Sequence, residues 1–200
     1  MVRKDIPALT KSLRKDARYQ RLKESFQTLP LFNMPVDQYH KDLDLYHKSR
    51  PIRNLNPTSG KIIDQIVRAS VDDQAFRSRI VAIMMECVRA STTLQNAIDA
   101  YRDYVLVHYA EELKSLRTKE ERMMVIKIAT ASFSKYVSKV QTLRDCCDLV
   151  VKDIDQAAWS LKLTVQTLEI HAKRENIVGP TRSSFENVHS FQSRYWTWTL

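Results

Sequence analysis

The chain has 200 residues, 44% of them apolar and 28% charged, with a formal net charge of +9; this balance is that of a folded protein with a real core, in one domain or at most two small ones. The uncharged apolar runs are far shorter than the roughly 20 residues that span a bilayer, and Met1-Val2-Arg3-Lys4-Asp5 has no apolar signal core, so a soluble, non-exported chain with no membrane partner is expected. Three cysteines, Cys87, Cys146 and Cys147, form neither a disulfide framework nor a zinc spacing and fit a reducing cytoplasm.

The charge is concentrated at one end. Residues 1–61 carry 13 Lys and Arg against 6 Asp and Glu, whereas residues 62–178 carry 17 against 16. The basicity therefore belongs to an N-terminal arm, residues 1–50. Its first helix is predicted over about Ala8 to Leu29, between Pro7 and Pro30. Leu9, Leu13 and Ala17 share one face and Lys11, Arg14, Arg18 and Arg21 lie nearly opposite. After Arg18 the apolar stripe moves to Tyr19, Leu22, Phe26 and Leu29, which implies two contact surfaces or a bend. A second helix is predicted from Pro35 to about Lys48, with Val36, Tyr39, Leu43 and Tyr46 facing inward. Residues 51–60, rich in Pro, Asn and Ser, read as a linker.

Residues 61–178 contain neither glycine nor proline, so no backbone breaker interrupts them. Ile62, Ile63, Ile66 and Val67 form a small apolar turn, and Ser70 with Asp73 has the spacing of a helix start. A long helix should follow. Phe76, Ile80, Ile83, Cys87, Ala90, Leu94, Ala97, Tyr101, Val105 and His108 alternate by threes and fours, the period of a coiled-coil seam, and Leu113 and Leu116 extend it. Thr118 and Glu121 form a capping box that restarts a helix without glycine. From Met123 through Ile126, Thr130, Phe133, Val137, Val140, Leu143, Cys147, Val151, Ile154, Ala158, Leu161, Val165 and Leu168 to Ala172 the seam continues. Helices of about 65 and 80 Å are predicted, joined near Arg117 as an antiparallel hairpin.

The fold class predicted is all-α, an elongated helical bundle on this hairpin, with short N-terminal helices and an extended aromatic C-terminal tail. Tyr104, Val107, Tyr109, Met124, Ile128, Tyr136, Val150 and Trp159 lie off the strict seam, which calls for a third layer from the N-terminal helices or from another copy of the chain. Residues 179–200 end in Tyr195-Trp196-Thr197-Trp198-Thr199-Leu200, alternating as an extended strand does.

Chemistry-bearing constellations are weighed against plainer uses. There is no Walker loop, dinucleotide fingerprint, HExxH or nucleophile elbow, so no catalytic residue, metal, cofactor or small-molecule substrate is assigned. His40 and His47 lie seven apart without a completing ligand. His108 falls on the seam and reads as an interior histidine. Asp145, Asp148, Asp153 and Asp155 read as a solvated face, since Asp148 with Lys152 is a favourable i, i+4 pair. Cys146 and Cys147 point about 100° apart on a helix, which suits core use better than a redox pair. Arg3, Lys4, Lys11, Arg14, Lys15, Arg18 and Arg21 are the candidates for contacting a phosphate backbone, with Tyr19 or Phe26 as a stacking surface; a basic face that is merely solvated, or docks on an acidic protein, is the alternative. Phe185, Phe191, Tyr195, Trp196, Trp198 and Leu200 are the candidates for gripping a partner or folding back on their own helices.

A basic start, two long helices and heptad spacing through an Asp-rich middle to Trp159 resemble small helical recombination mediators of bacteriophages over about the second half of the chain. Long helical hairpins with ordered tails also resemble subunits of phage connectors. Two functions are expected from these readings together. One is a non-enzymatic assembly subunit, a homo-oligomer bound to other proteins in the cytoplasm or a virion. The other is an accessory factor that binds DNA or RNA through its N-terminal basic helix.

Overall fold

The computed structural model describes residues 6–49 and 61–178. Arg3, Lys4, the linker 51–60 and the tail residues Phe185, Phe191, Tyr195, Trp196, Trp198 and Leu200 lie outside the described residues. Among those described there are seven α-helices, one 3-10 turn and no strand: α1 (Ile6–Arg14), α2 (Ala17–Thr28), the 3-10 turn Pro30–Phe32, α3 (Val36–Ser49), α4 (Ile62–His108), α5 (Ala110–Lys114), α6 (Lys119–Ala129) and α7 (Ala131–Val178). The chain divides into two compact units, one of Met1–Ile52 with Gln74–Asp153 and one of Arg53–Asp73 with Ile154–Leu200.

The single helix expected over Ala8 to Leu29 is instead two. Lys15 and Asp16 donate backbone bonds to Ser12 and Leu13, tightening the last turn of α1. Asp16 then turns extended, at φ −60° and ψ 142°, and its carboxylate accepts from the N–H groups of Arg18 and Tyr19. That side chain satisfies donors at the start of α2 which an unbroken helix would have satisfied from its own backbone, so the break is chemical as well as steric. Leu9 and Leu13 of α1 and Tyr19 and Leu22 of α2 are all buried. The change of stripe in the sequence marks this elbow.

Phe32 in the 3-10 turn is buried and its ring stacks on Phe26 at 6.2 Å. Helix α3 follows the expected pattern: Val36 and Leu43 are buried, and Tyr46 meets Phe76 of α4 at 5.1 Å. Helix α4 differs at its start. It begins at Ile62 and runs on through Ser70 and Asp73, because Ile62, Ile66 and Ala69 pack with Leu161 in the second unit and packing overrides a local start signal.

The seam is buried at Ile80, Cys87, Ala90, Leu94, Tyr101 and Val105 on α4, and at Phe133, Val137, Val140, Leu143 and Cys147 on α7. It fails at three positions. His108 is exposed at the end of α4, since the helix stops there and Tyr109 leaves helical geometry at φ −110° and ψ 22°. Met123 is exposed, and Val125, Ile126 and Ala129 carry the buried face of α6. Ala158 is exposed. Leu113 and Leu116 do join the core, but beyond the end of α4.

The Thr118 capping box is present in both directions: Glu121 N–H donates to the Thr118 hydroxyl at 3.1 Å, and Thr118 N–H donates to the Glu121 carboxylate at 3.4 Å. Thr130, expected to leave the helix intact, separates α6 from α7. It is buried, with φ −95° and ψ 6°, and its hydroxyl donates to the Ile126 carbonyl, a competing bond of the kind that bends helices.

Candidate functional site

The basic elbow between α1 and α2 is held by three tyrosines, Tyr101 and Tyr104 near the end of α4 and Tyr109 just past it. Tyr101 donates its hydroxyl to the Leu13 carbonyl at 2.9 Å, while Tyr109 and Tyr104 donate to one oxygen of Asp16 at 2.7 and 3.3 Å. The same Asp16 caps α2, so one carboxylate both ends the elbow and anchors it. Partial burial acts to raise the Asp16 pKa, but the hydrogen bonds from Tyr109, the Arg18 and Tyr19 amides and Tyr104 outweigh it and hold the carboxyl below its ordinary value. Burial, then the Asp16 hydrogen bond and charge, push the Tyr109 hydroxyl up to about 12. Tyr101 rises as well, chiefly through burial.

The expected phosphate-contacting side chains separate into two groups around this clasp. Arg14 donates to the Ile128 carbonyl at 2.8 Å, and the Arg18 guanidinium lies 4.8 Å from the Tyr104 ring centre. Both are exposed, yet both are tied to the protein. Lys11, Lys15 and Arg21 are exposed and have no acidic partner among the described residues. The stacking surface expected at Tyr19 or Phe26 is not on offer. Tyr19 is buried between Tyr101 and Phe133, at 5.8 and 5.5 Å, and Phe26 packs against Phe133 and edge-on to Tyr136 at 5.0 Å. Their rings serve the core because α2 lies down on α4 and α7 with its aromatic stripe inward.

The chain matches no family model, no curated protein and no solved structure. Its own geometry is therefore the whole basis for a functional reading.

His40 is half-buried and His47 exposed, and among the described residues no group of three His, Cys, Asp or Glu is placed to hold a metal. Asp145 pairs with Arg144 at 2.9 Å and Asp148 with Lys152 at 2.6 Å, both at the surface. Cys87 and Cys147 are buried, which pushes their thiols up to about 11 and about 12 and makes them poor nucleophiles near neutrality.

Two features escaped the sequence. Asp16 is a helix cap whose signal was present, an Asp at the point where the apolar stripe changes face. The other is a groove of about 850 Å³ between α4 and α6, walled by Met123 and Met124 and floored by Ile98 and Ile126. It lies where α6 and α7 part at Thr130, a polar residue on the seam that was expected not to break it.

Proposed function

We propose that this chain is a non-enzymatic assembly subunit of a larger nucleoprotein complex, in the cytoplasm or in a virion such as that of a phage, oligomerising through its long helices and gripping neighbours through its termini. The observation that carries this reading is apolar surface left bare on the long helices. Val107 is 71% exposed, Leu149 66% and Trp159 59%, and Trp159, Leu163 and Ile170 share one face of α7. Single exposed apolar side chains are ordinary, but a stripe of them at helical spacing is what a helix keeps for another helix. A helical hairpin is the frame of this reading. It is supported by contacts in the first unit, where Tyr19 bridges Tyr101 to Phe133 and Leu94, Tyr101 and Val105 of α4 share one buried cluster with Phe133 and Val137 of α7.

A second reading has its own support. Lys11 on α1, Lys15 in the elbow and Arg21 on α2 present unpaired positive charge, which suits an accessory factor that contacts the phosphates of DNA or RNA. Light scattering with and without single- and double-stranded DNA, at low and moderate salt, separates the two. Assembly predicts a mass well above one chain that DNA does not change. Nucleic-acid binding predicts salt-sensitive complexes that are lost when Lys11, Lys15 and Arg21 are changed to Glu. Removing α1 and α2 altogether is a poorer test, because Leu9, Leu13, Tyr19 and Leu22 belong to the core. A monomer at micromolar concentration that ignores DNA sinks both readings.

A further inference from the structure

The groove of the first unit has two unlike walls. On α4, Arg102 and Asp99 form an ion pair at 2.8 Å, and Gln95 donates to Asp99, so that wall is satisfied within the molecule. On α6, Glu120, Met123, Met124 and Lys127 line the groove at offsets of three, four and seven residues, which places them in one stripe. Glu120 and Lys127 are exposed and neither has an ion-pair partner among the described residues. Met123 and Met124 between them are 38% and 54% exposed, over the buried Ile98 and Ile126.

The order along this stripe is acid, methionine, methionine, base. Its midpoint falls between Met123 and Met124. A two-fold axis through that midpoint lays α6 antiparallel to α6 of a second copy, and sets Glu120 of each chain against Lys127 of the other. The methionines then meet at the centre, where their unbranched thioethers adapt to an irregular floor. A stripe that is its own complement under a two-fold rotation is what an isologous interface requires, and the two charge pairs fix its register.

We infer that this stripe is the contact between two copies of the chain, α6 against α6. The inference rests on the reading that the chain self-assembles, and names the surface and the partner. A contact of this kind closes at two copies, so any larger assembly has to use a different face.

Reversing charges on the full-length chain tests it, with sedimentation velocity as the readout. Glu120→Lys and Lys127→Glu each turn two attractions into two repulsions and weaken self-association by at least about tenfold. Mixed in equal amounts, the two variants attract at both positions and form a mixed dimer that neither forms alone. The double variant E120K/K127E recovers the homodimer. Glu120 lies in the first turn of α6 beside the Thr118 cap and Lys127 in its last turn, so both charge reversals also oppose the helix dipole; Met124→Asp, at a position in neither the first nor the last turn, carries the same expectation of a lost dimer without that effect. If the wild-type chain self-associates but Lys127→Glu and Met124→Asp leave its mass unchanged, or if the mixture is no tighter than its components, the α6 contact is wrong while the assembly reading stands. A wild-type chain that stays monomeric at micromolar concentration removes both.

Discussion

The two units are served by the same pair of long helices and differ in what covers them. In the first, α1 and α2 close over α4, α6 and α7: Leu9, Leu13, Tyr19 and Leu22 join Leu94, Tyr101, Val105, Val125, Phe133 and Val137 in one cluster. In the second, Ile62, Ile66 and Ala69 meet Leu161 with Val165 and Leu168 alongside, while Val71, Trp159, Leu163 and Ile170 remain exposed. Two helices bury one stripe each against the other and leave the rest of an apolar girdle wet. A third layer turns that girdle into core, and in the first unit the N-terminal helices supply it.

The comparison is tested most severely in the cores themselves. Leu13 is fully buried, and Leu13→Ala is expected to cost about 4 kcal/mol in urea unfolding followed by circular dichroism. Leu161→Ala, in the cluster that is thinner among the described residues, is expected to cost about half as much, since loosely packed neighbours relax into the space. Equal losses at the two sites would mean that the second unit is covered as well as the first.

Next in size is the clasp that holds the third layer down. Asp16→Ala removes the cap of α2 and both tyrosine bonds at once and is expected to cost about 2 kcal/mol, with Asp16→Asn losing less because an amide oxygen still accepts from the backbone. A loss of a few tenths in the same unfolding experiment would show that the elbow is held by apolar packing alone. The pH profile carries the same information in two windows. The Asp16 carboxyl is depressed, so its contribution is complete above the unfolded value near 3.8 and drains away as pH falls through the lower folded value. Tyr109 is raised, so its contribution is present below the unfolded value of 10.0 and is lost as pH climbs toward about 12. Tyr109→Phe is expected to cost about 1 kcal/mol at neutral pH and to flatten the alkaline limb of a melting-temperature profile.

The smallest expected effect sharpens the contrast from the other side. Trp159→Ser replaces a side chain that is exposed and touched by the Lys162 ammonium, and should change unfolding free energy by less than about 0.5 kcal/mol at dilute concentration. A loss that grows with protein concentration would identify this face as one that a neighbouring chain covers.

Much of the helical frame was legible because each signal was local. The glycine- and proline-free stretch, the heptad spacing from Ile80 to Val105 and the reciprocal Thr118 and Glu121 bonds follow from residues within a turn or two of each other. Local signals also misled. Ser70 and Asp73 have the spacing of a helix start, yet α4 passes through them. Met123 keeps the seam's count, yet it is exposed, while Val125 and Ala129 join Ile126 in the cluster that Leu9 and Leu13 of α1 complete.

Taken by itself, the sequence determined that this protein is built from long helices, where one of them restarts, and that its excess positive charge lies near the start of the chain. These are properties of period, capping and composition, which a chain carries whether or not its parts have met. Only the tertiary structure decided that Tyr19 and Phe26 are core rather than a stacking platform, that Arg14 and Arg18 are tied down while Lys11, Lys15 and Arg21 are not, and that α6 presents Glu120, Met123, Met124 and Lys127 along an open groove. Each of those outcomes depends on which face of one helix meets which face of another. That choice is made by the fit of buried side chains distant in sequence, and no local pattern encodes it.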